Sequence, residues 1–114
     1  MNWGKLAAIN LYECDEKIKN KAEIKRFIKD LCKVIAMKPV GLAKVKRFGK
    51  DELEGYSALQ FIETSSITCH FDETENRGFI DIFSCKEFDE KKALKFCKSF
   101  FNAKKTDIKI LIRK

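Results

Sequence analysis

Only two stretches of this 114-residue chain carry the three-four apolar spacing of an amphipathic helix, whereas six carry the marks of a strand, and that imbalance restricts the folds open to it. Over residues 21–37 the apolar Ile24, Phe27, Ile28, Leu31, Val34 and Ile35 form one stripe, which Pro39 stops. A second stripe (Ala93, Phe96, Cys97, Phe100, Phe101) follows Asp89, a residue suited to cap a helix N-terminus. Strand patterns occupy residues 5–14, 40–48, 56–63, 67–71, 79–84 and 107–112, with Thr64, Ser65 and Ser66 linking two of them. In the first strand Ala7, Ile9 and Leu11 share one face, while Ala8, Asn10 and Tyr12 share the other.

Two helices can cover one face of a six-stranded sheet, so the expected fold is an α+β two-layer sandwich: one mainly antiparallel sheet with two helices on one face. The opposite face would carry Tyr12, Leu59 and Phe61, too apolar a surface to leave in water. A homodimer packed sheet on sheet is therefore expected.

At 13.3 kDa the chain fits a single domain, residues 1–114, and 45% apolar residues suffice for a core. Its apolar runs, such as residues 7–9 or 110–112, fall far short of the roughly 20 residues that span a bilayer. The first ten residues lack a signal-peptide pattern, so a cytoplasmic protein is expected. Five cysteines (Cys14, Cys32, Cys69, Cys85, Cys97) form an odd set with no CxxC pair, which suggests reduced thiols and no zinc site. The net charge is +7, but only four of the 24 basic residues are Arg and the lysines are spread along the chain. That distribution reads as a solvated surface, not a nucleic-acid stripe.

Chemistry-bearing groups cluster late in the chain. Ser57, Ser65, Ser66 and the lone His70 fall close together, and Cys85 closes the following strand. Hydroxyl, imidazole and thiol are the groups that nucleophilic attack and proton transfer require. Ser65 and His70 are five apart, so an unbroken strand sets them on opposite faces, and a turn or bulge between them is needed if they share a site.

The segments Leu11-Tyr12-Glu13-Cys14-Asp15, Ser57, Ser65, His70 and Ile80-Asp81-Ile82-Phe83-Ser84-Cys85, in this order and spacing, resemble the short prokaryotic S-adenosylmethionine decarboxylases over nearly the whole chain. The resemblance implies a proenzyme in which Ser65 attacks the Thr64 carbonyl. The chain is then cut between residues 64 and 65, and Ser65 becomes an N-terminal pyruvoyl group, a built-in cofactor that condenses with the substrate amine. It also implies that Ser57 and His70 assist cleavage, His70 as the base, and that Cys85 protonates the substrate carbon. Tyr12 corresponds to an aromatic that stacks on adenine; read without the resemblance, it is a strand aromatic at a dimer seam. The product would supply the aminopropyl donor for spermidine synthesis.

The chain departs from that family in two places. Thr64 and Ser66 flank the serine where Glu and His are usual, and Thr74 stands where a Glu holds the ribose, leaving Glu73 or Glu75 to bind it. Two alternatives stay open beside S-adenosylmethionine: the same pyruvoyl chemistry on arginine or ornithine, and a non-processing homologue that binds a ligand or partner subunit.

Overall fold

A computed structural model describes residues 2–114, so Met1, the first residue of the expected domain, lies outside the described residues. The strands are β1 (Gly4–Tyr12), β2 (Pro39–Phe48), β3 (Gly55–Ile62), β4 (Ser65–Asp72), β5 (Arg77–Ser84) and β6 (Lys105–Arg113), and the helices are α1 (Lys21–Val34) and α2 (Glu90–Phe100). They form one antiparallel six-stranded sheet in the order β2-β3-β4-β5-β1-β6, with both helices on one side. This is the α+β two-layer sandwich expected from the helical stripes. No helix among the described residues is long and apolar enough to cross a membrane.

The core lies between the sheet and the helices. Ala7, Ile9, Leu11, Ile67, Cys69, Ile80 and Ile82 project from the sheet and are fully buried. The helices answer with Ile24, Phe27, Ile28, Leu31, Ala93, Cys97 and, just past α2, Phe101. Phe101 sits at the centre of the aromatic contacts, with ring centroids 4.7 Å from Phe27 and 5.3 Å from Phe71.

Helix ends follow local chemistry. Asn20 and Asp89 cap α1 and α2 by accepting backbone N–H groups of the first turn. The helix expected over residues 21–37 stops at Val34, because Ala36 adopts φ +55° and the Met37 N–H returns to the Cys32 carbonyl. Asn102 repeats this stop after α2, with Ala103 N–H on the Lys98 carbonyl. β1 ends two residues early because Glu13 turns to φ +54° and the Cys14 N–H leaves the sheet for the Asn76 carbonyl. A single 3-10 turn, Glu16–Lys19, fills the gap before α1 and buries Ile18 beneath it; no periodicity of so short a segment announces it.

The other face of the sheet is open. One register row crosses all six strands as Lys46, Ser57, His70, Phe79, Asn10 and Asp107. Phe61, Phe48 and Leu111 on this face are about half exposed, and Trp3 stacks on Phe83 at 5.8 Å. Lysines on the two edge strands, together with the irregularity between Val40 and Lys44, discourage pairing with further strands.

Candidate active site

The residues singled out above fall into two groups at opposite ends of β4. β3 and β4 join through Glu63 and Thr64 alone, since Ile62 already pairs with Ser65. Two-residue hairpins favour positive φ at their central positions, which is why Gly and Asn dominate there. Neither Glu63 nor Thr64 has positive φ; Ser65 does, at +157°, a region of backbone space that side chains disfavour. The turn's misfit is thus carried by the Thr64–Ser65 junction.

Three neighbours hold that junction. The Thr64 carbonyl oxygen accepts the Cys85 N–H at 3.0 Å and the Cys85 Sγ–H at 3.4 Å. The Thr64 hydroxyl accepts from Ser84 Oγ at 2.7 Å and donates to Met37 Sδ at 3.3 Å, while Ser84 Oγ in turn accepts the Lys86 N–H at 3.0 Å. Ser84 is fully buried, so this relay holds the Thr64 side chain in place, while the Cys85 N–H holds its carbonyl. A carbonyl with two convergent donors is polarised for attack, and an oxyanion formed on it is stabilised.

Five residues along β4, His70 Nδ1 lies 2.9 Å from Ser57 Oγ, because the two residues are register partners on the open face. Beside them an open cavity of about 350 Å³ is lined by His70, Asp72, Glu75, Arg77 and Phe79, with Leu53 and Thr74 at its rim. Tyr12 stands near Arg77 on the same face and donates its hydroxyl to Asp107 at 3.0 Å; that hydrogen bond, with partial burial, raises the phenol above its ordinary value.

β4 runs without a bulge from Ser65 to Asp72, paired on both sides. The turn that would have let Ser65 and His70 share a site is absent. Strand rise separates them by roughly 17 Å, on opposite faces of the sheet. Within one chain, then, Thr64, Ser65 and Cys85 meet, and Ser57 and His70 meet, but the two groups do not. Ser65 and Ser66, expected in the link between two strands, belong to β4 itself.

The two acidic candidates also part company. Both Glu73 carboxylate oxygens are taken by Arg47 at 2.6 and 2.8 Å, and Arg47 further binds Glu54. Glu75 makes one exposed contact with Arg77 at 2.9 Å and faces the cavity. Thr74 binds the Glu52 carbonyl through its hydroxyl. Among the described residues no group of His, Cys, Asp or Glu is arranged to hold a metal ion.

Of the five cysteines only Cys85 is exposed. Burial pushes the Cys14 thiol up to about 11, with Asp15 adding to the effect, and raises Cys32, Cys69 and Cys97 as well. Missing from the sequence reading was the Thr64 hydroxyl relay, whose parts are ordinary Ser, Thr and Met. Lys5 was missed too, although its place in phase with Ala7, Ile9 and Leu11 marks it as a charge on the buried face.

The sequence matches the family model described as S-adenosylmethionine decarboxylase over residues 5–114. No curated protein sequence matches it. Among solved structures, the adenosylmethionine decarboxylase from Aquifex aeolicus VF5 superposes with a TM-score of 0.82 at 18% identity, covering 98% of this chain and 91% of that one. At that identity the likeness speaks for the fold.

Proposed function

This chain belongs to the S-adenosylmethionine decarboxylase family, and from that premise we propose that it cleaves itself between Thr64 and Ser65 and then decarboxylates S-adenosylmethionine through a pyruvoyl group at residue 65. The observation that carries the proposal is the pair of Cys85 donors on the Thr64 carbonyl, next to a serine in a strained backbone. The same junction fits formation of the group, since hydroxyl, polarised carbonyl and strained peptide are adjacent.

In the proposed sequence Ser65 Oγ adds to the Thr64 carbonyl carbon, and charge builds on the oxygen that faces the Cys85 N–H and Sγ–H. The C–N bond breaks, the nitrogen takes the proton, and an ester joins the two halves. Removal of the Ser65 Cα proton expels the Thr64 carboxylate from Cβ and frees residues 1–64; water then displaces ammonia to leave the ketone. A pyruvoyl carbonyl supplies an electron sink for loss of carbon dioxide from an amino acid. Cys85, already beside residue 65, is the proposed acid for the substrate carbon. The product would serve as the aminopropyl donor for spermidine synthesis, and five free thiols suit a reducing compartment such as the cytoplasm.

His70 is the proposed base for the Cα proton, oriented by Ser57, but its own chain holds it too far from Ser65. Exposed Phe48 and Phe61 on the open face support a homodimer packed sheet on sheet, and with the two sheets running antiparallel the partner's His70 comes to the hairpin end of β4, where it meets Ser65 around the end of the strand. On this reading the substrate lies between copies, with Tyr12 and Phe79 offering aromatic faces to adenine and sulfonium and Glu75 taking the ribose hydroxyls. Glu73 is left out of that role because Arg47 already saturates it.

Denaturing mass spectrometry tests the core of the proposal: fragments of residues 1–64 and 65–114 are expected, and an intact 114-residue mass after long incubation would leave a non-processing homologue. Co-expressed Ser65→Ala and His70→Ala chains should yield cleavage of the His70→Ala chain alone, whereas neither variant cleaves by itself. No cleavage in the mixture would refute the shared site. The second reading, arginine or ornithine as substrate, gains from the engagement of Glu73 and from the exposed Asp81 on the open face. Carbon dioxide release from all three substrates separates them.

A further inference from the structure

Lys5 is the one lysine buried among the described residues, at 8% exposure, on the helix side of β1. A buried ammonium must have its donors satisfied, and all three of its N–H groups are: Glu87 Oε1 at 2.6 Å, the Phe88 carbonyl at 2.7 Å and Glu90 Oε2 at 2.7 Å. Its Nζ also sits 4.5 Å from the centre of the Phe88 ring. Every acceptor belongs to one short segment, the loop from β5 to α2 and the first turn of α2. That loop begins with Cys85. At its near end the Lys86 side chain binds the Ala36 carbonyl at 2.9 Å, and its backbone binds Ser84 Oγ. Cys85 therefore hangs between an anchor at Ser84 and an anchor at Phe88, and the second is made by Lys5. The electrostatics agree: burial alone would depress the ammonium, but Glu87 and Glu90 outweigh it and hold Lys5 above its ordinary value.

We propose that Lys5 is a positioning residue for self-cleavage, clamping the Cys85 loop so that the Cys85 N–H and thiol stay aimed at the Thr64 carbonyl. The inference rests on the self-processing reading, so one test must not depend on cleavage. In the Ser65→Ala background, which cannot cleave, the rate at which a small thiol reagent labels Cys85 reports the loop directly, because the other four cysteines are buried. Lys5→Met should raise that rate several-fold, and Lys5→Arg, which keeps the charge, should bring it back toward the parent. With Ser65 restored, Lys5→Met should slow cleavage about tenfold, less than the roughly 10²–10³ lost when an oxyanion donor is removed outright, because the donors stay present and lose only their aim. A lysine that only stabilises the fold would lower the melting temperature and leave the labelling rate of the folded protein unchanged, and that result overturns the proposal. Accelerated labelling with an unchanged cleavage rate overturns the link to catalysis. If Lys5→Met does not fold, its carboxylate partners serve instead, Glu87 exposed and Glu90 half-buried, and a Glu87→Gln, Glu90→Gln double variant is read in the same way. A wild-type chain that never cleaves defeats the processing reading, while the labelling arm still decides the clamp.

Discussion

Replacing Cys85 with Ala removes one of the two donors on the Thr64 carbonyl and leaves the other, because the backbone N–H at 3.0 Å survives the substitution. The lost donor is a thiol at 3.4 Å, a weak hydrogen bond whose contribution is of order 0.5–1 kcal/mol. At 1.36 kcal/mol per decade that corresponds to processing slowed by roughly two- to fivefold. A strong oxyanion donor costs about 10²–10³ when removed, so the two cases are well separated. Freshly purified Cys85→Ala protein, followed by the appearance of the 65–114 fragment in denaturing mass spectrometry, gives the rate. Decarboxylation by the processed variant should fall much further, since there the thiol is the proposed acid. A hundredfold loss of processing would refute the N–H as the main donor, because the thiol would then carry the step. Full decarboxylation by the variant would remove Cys85 from turnover.

Other expectations follow from the same contacts. Thr64→Val leaves the buried Ser84 hydroxyl only the weak Met37 sulfur at 3.8 Å as acceptor and should cost about 1–2 kcal/mol by denaturant titration, with slower processing. Phe101→Ala opens a cavity among Phe27, Phe71 and Phe100 and should cost about 3–5 kcal/mol, seen as a large fall in melting temperature by calorimetry. Titration of the native Ser65→Ala chain with a thiol reagent should consume one equivalent, and rapid reaction of more would show that the buried cysteines are accessible. Asp15, whose burial is outweighed by Lys17 and Asn102, and Glu90, held by Lys5, both titrate below their ordinary values. Groups depressed in the folded state add stability above their ordinary range and lose it as pH falls through the folded values, so acid unfolding should begin below about pH 4 and shift to higher pH in Asp15→Asn.

The layer architecture was legible in the residue pattern alone. Six strand patterns and two helical stripes leave one sheet face covered and one bare, because each element must bury its apolar side and only two stripes exist to do so. Residues with a local signature were legible as well: Asp89 as a cap, Ala7, Ile9 and Leu11 as a buried row, and Ser57, Ser65, His70 and Cys85 through their spacing. Tertiary structure alone decided which of those four meet. Sequence distance told nothing of the return of β5 past the hairpin, which lays Cys85 on Thr64, nor that β4 runs straight and carries His70 away from Ser65. It also decided that Glu73 is spent on Arg47, a contact made across 26 positions of chain, and that Lys5 grips a loop more than 80 positions distant. Side-chain alternation and helix caps are set within a few residues of one another, whereas the aim of a donor at a carbonyl is set by packing between segments whose separation in the sequence carries no record of it.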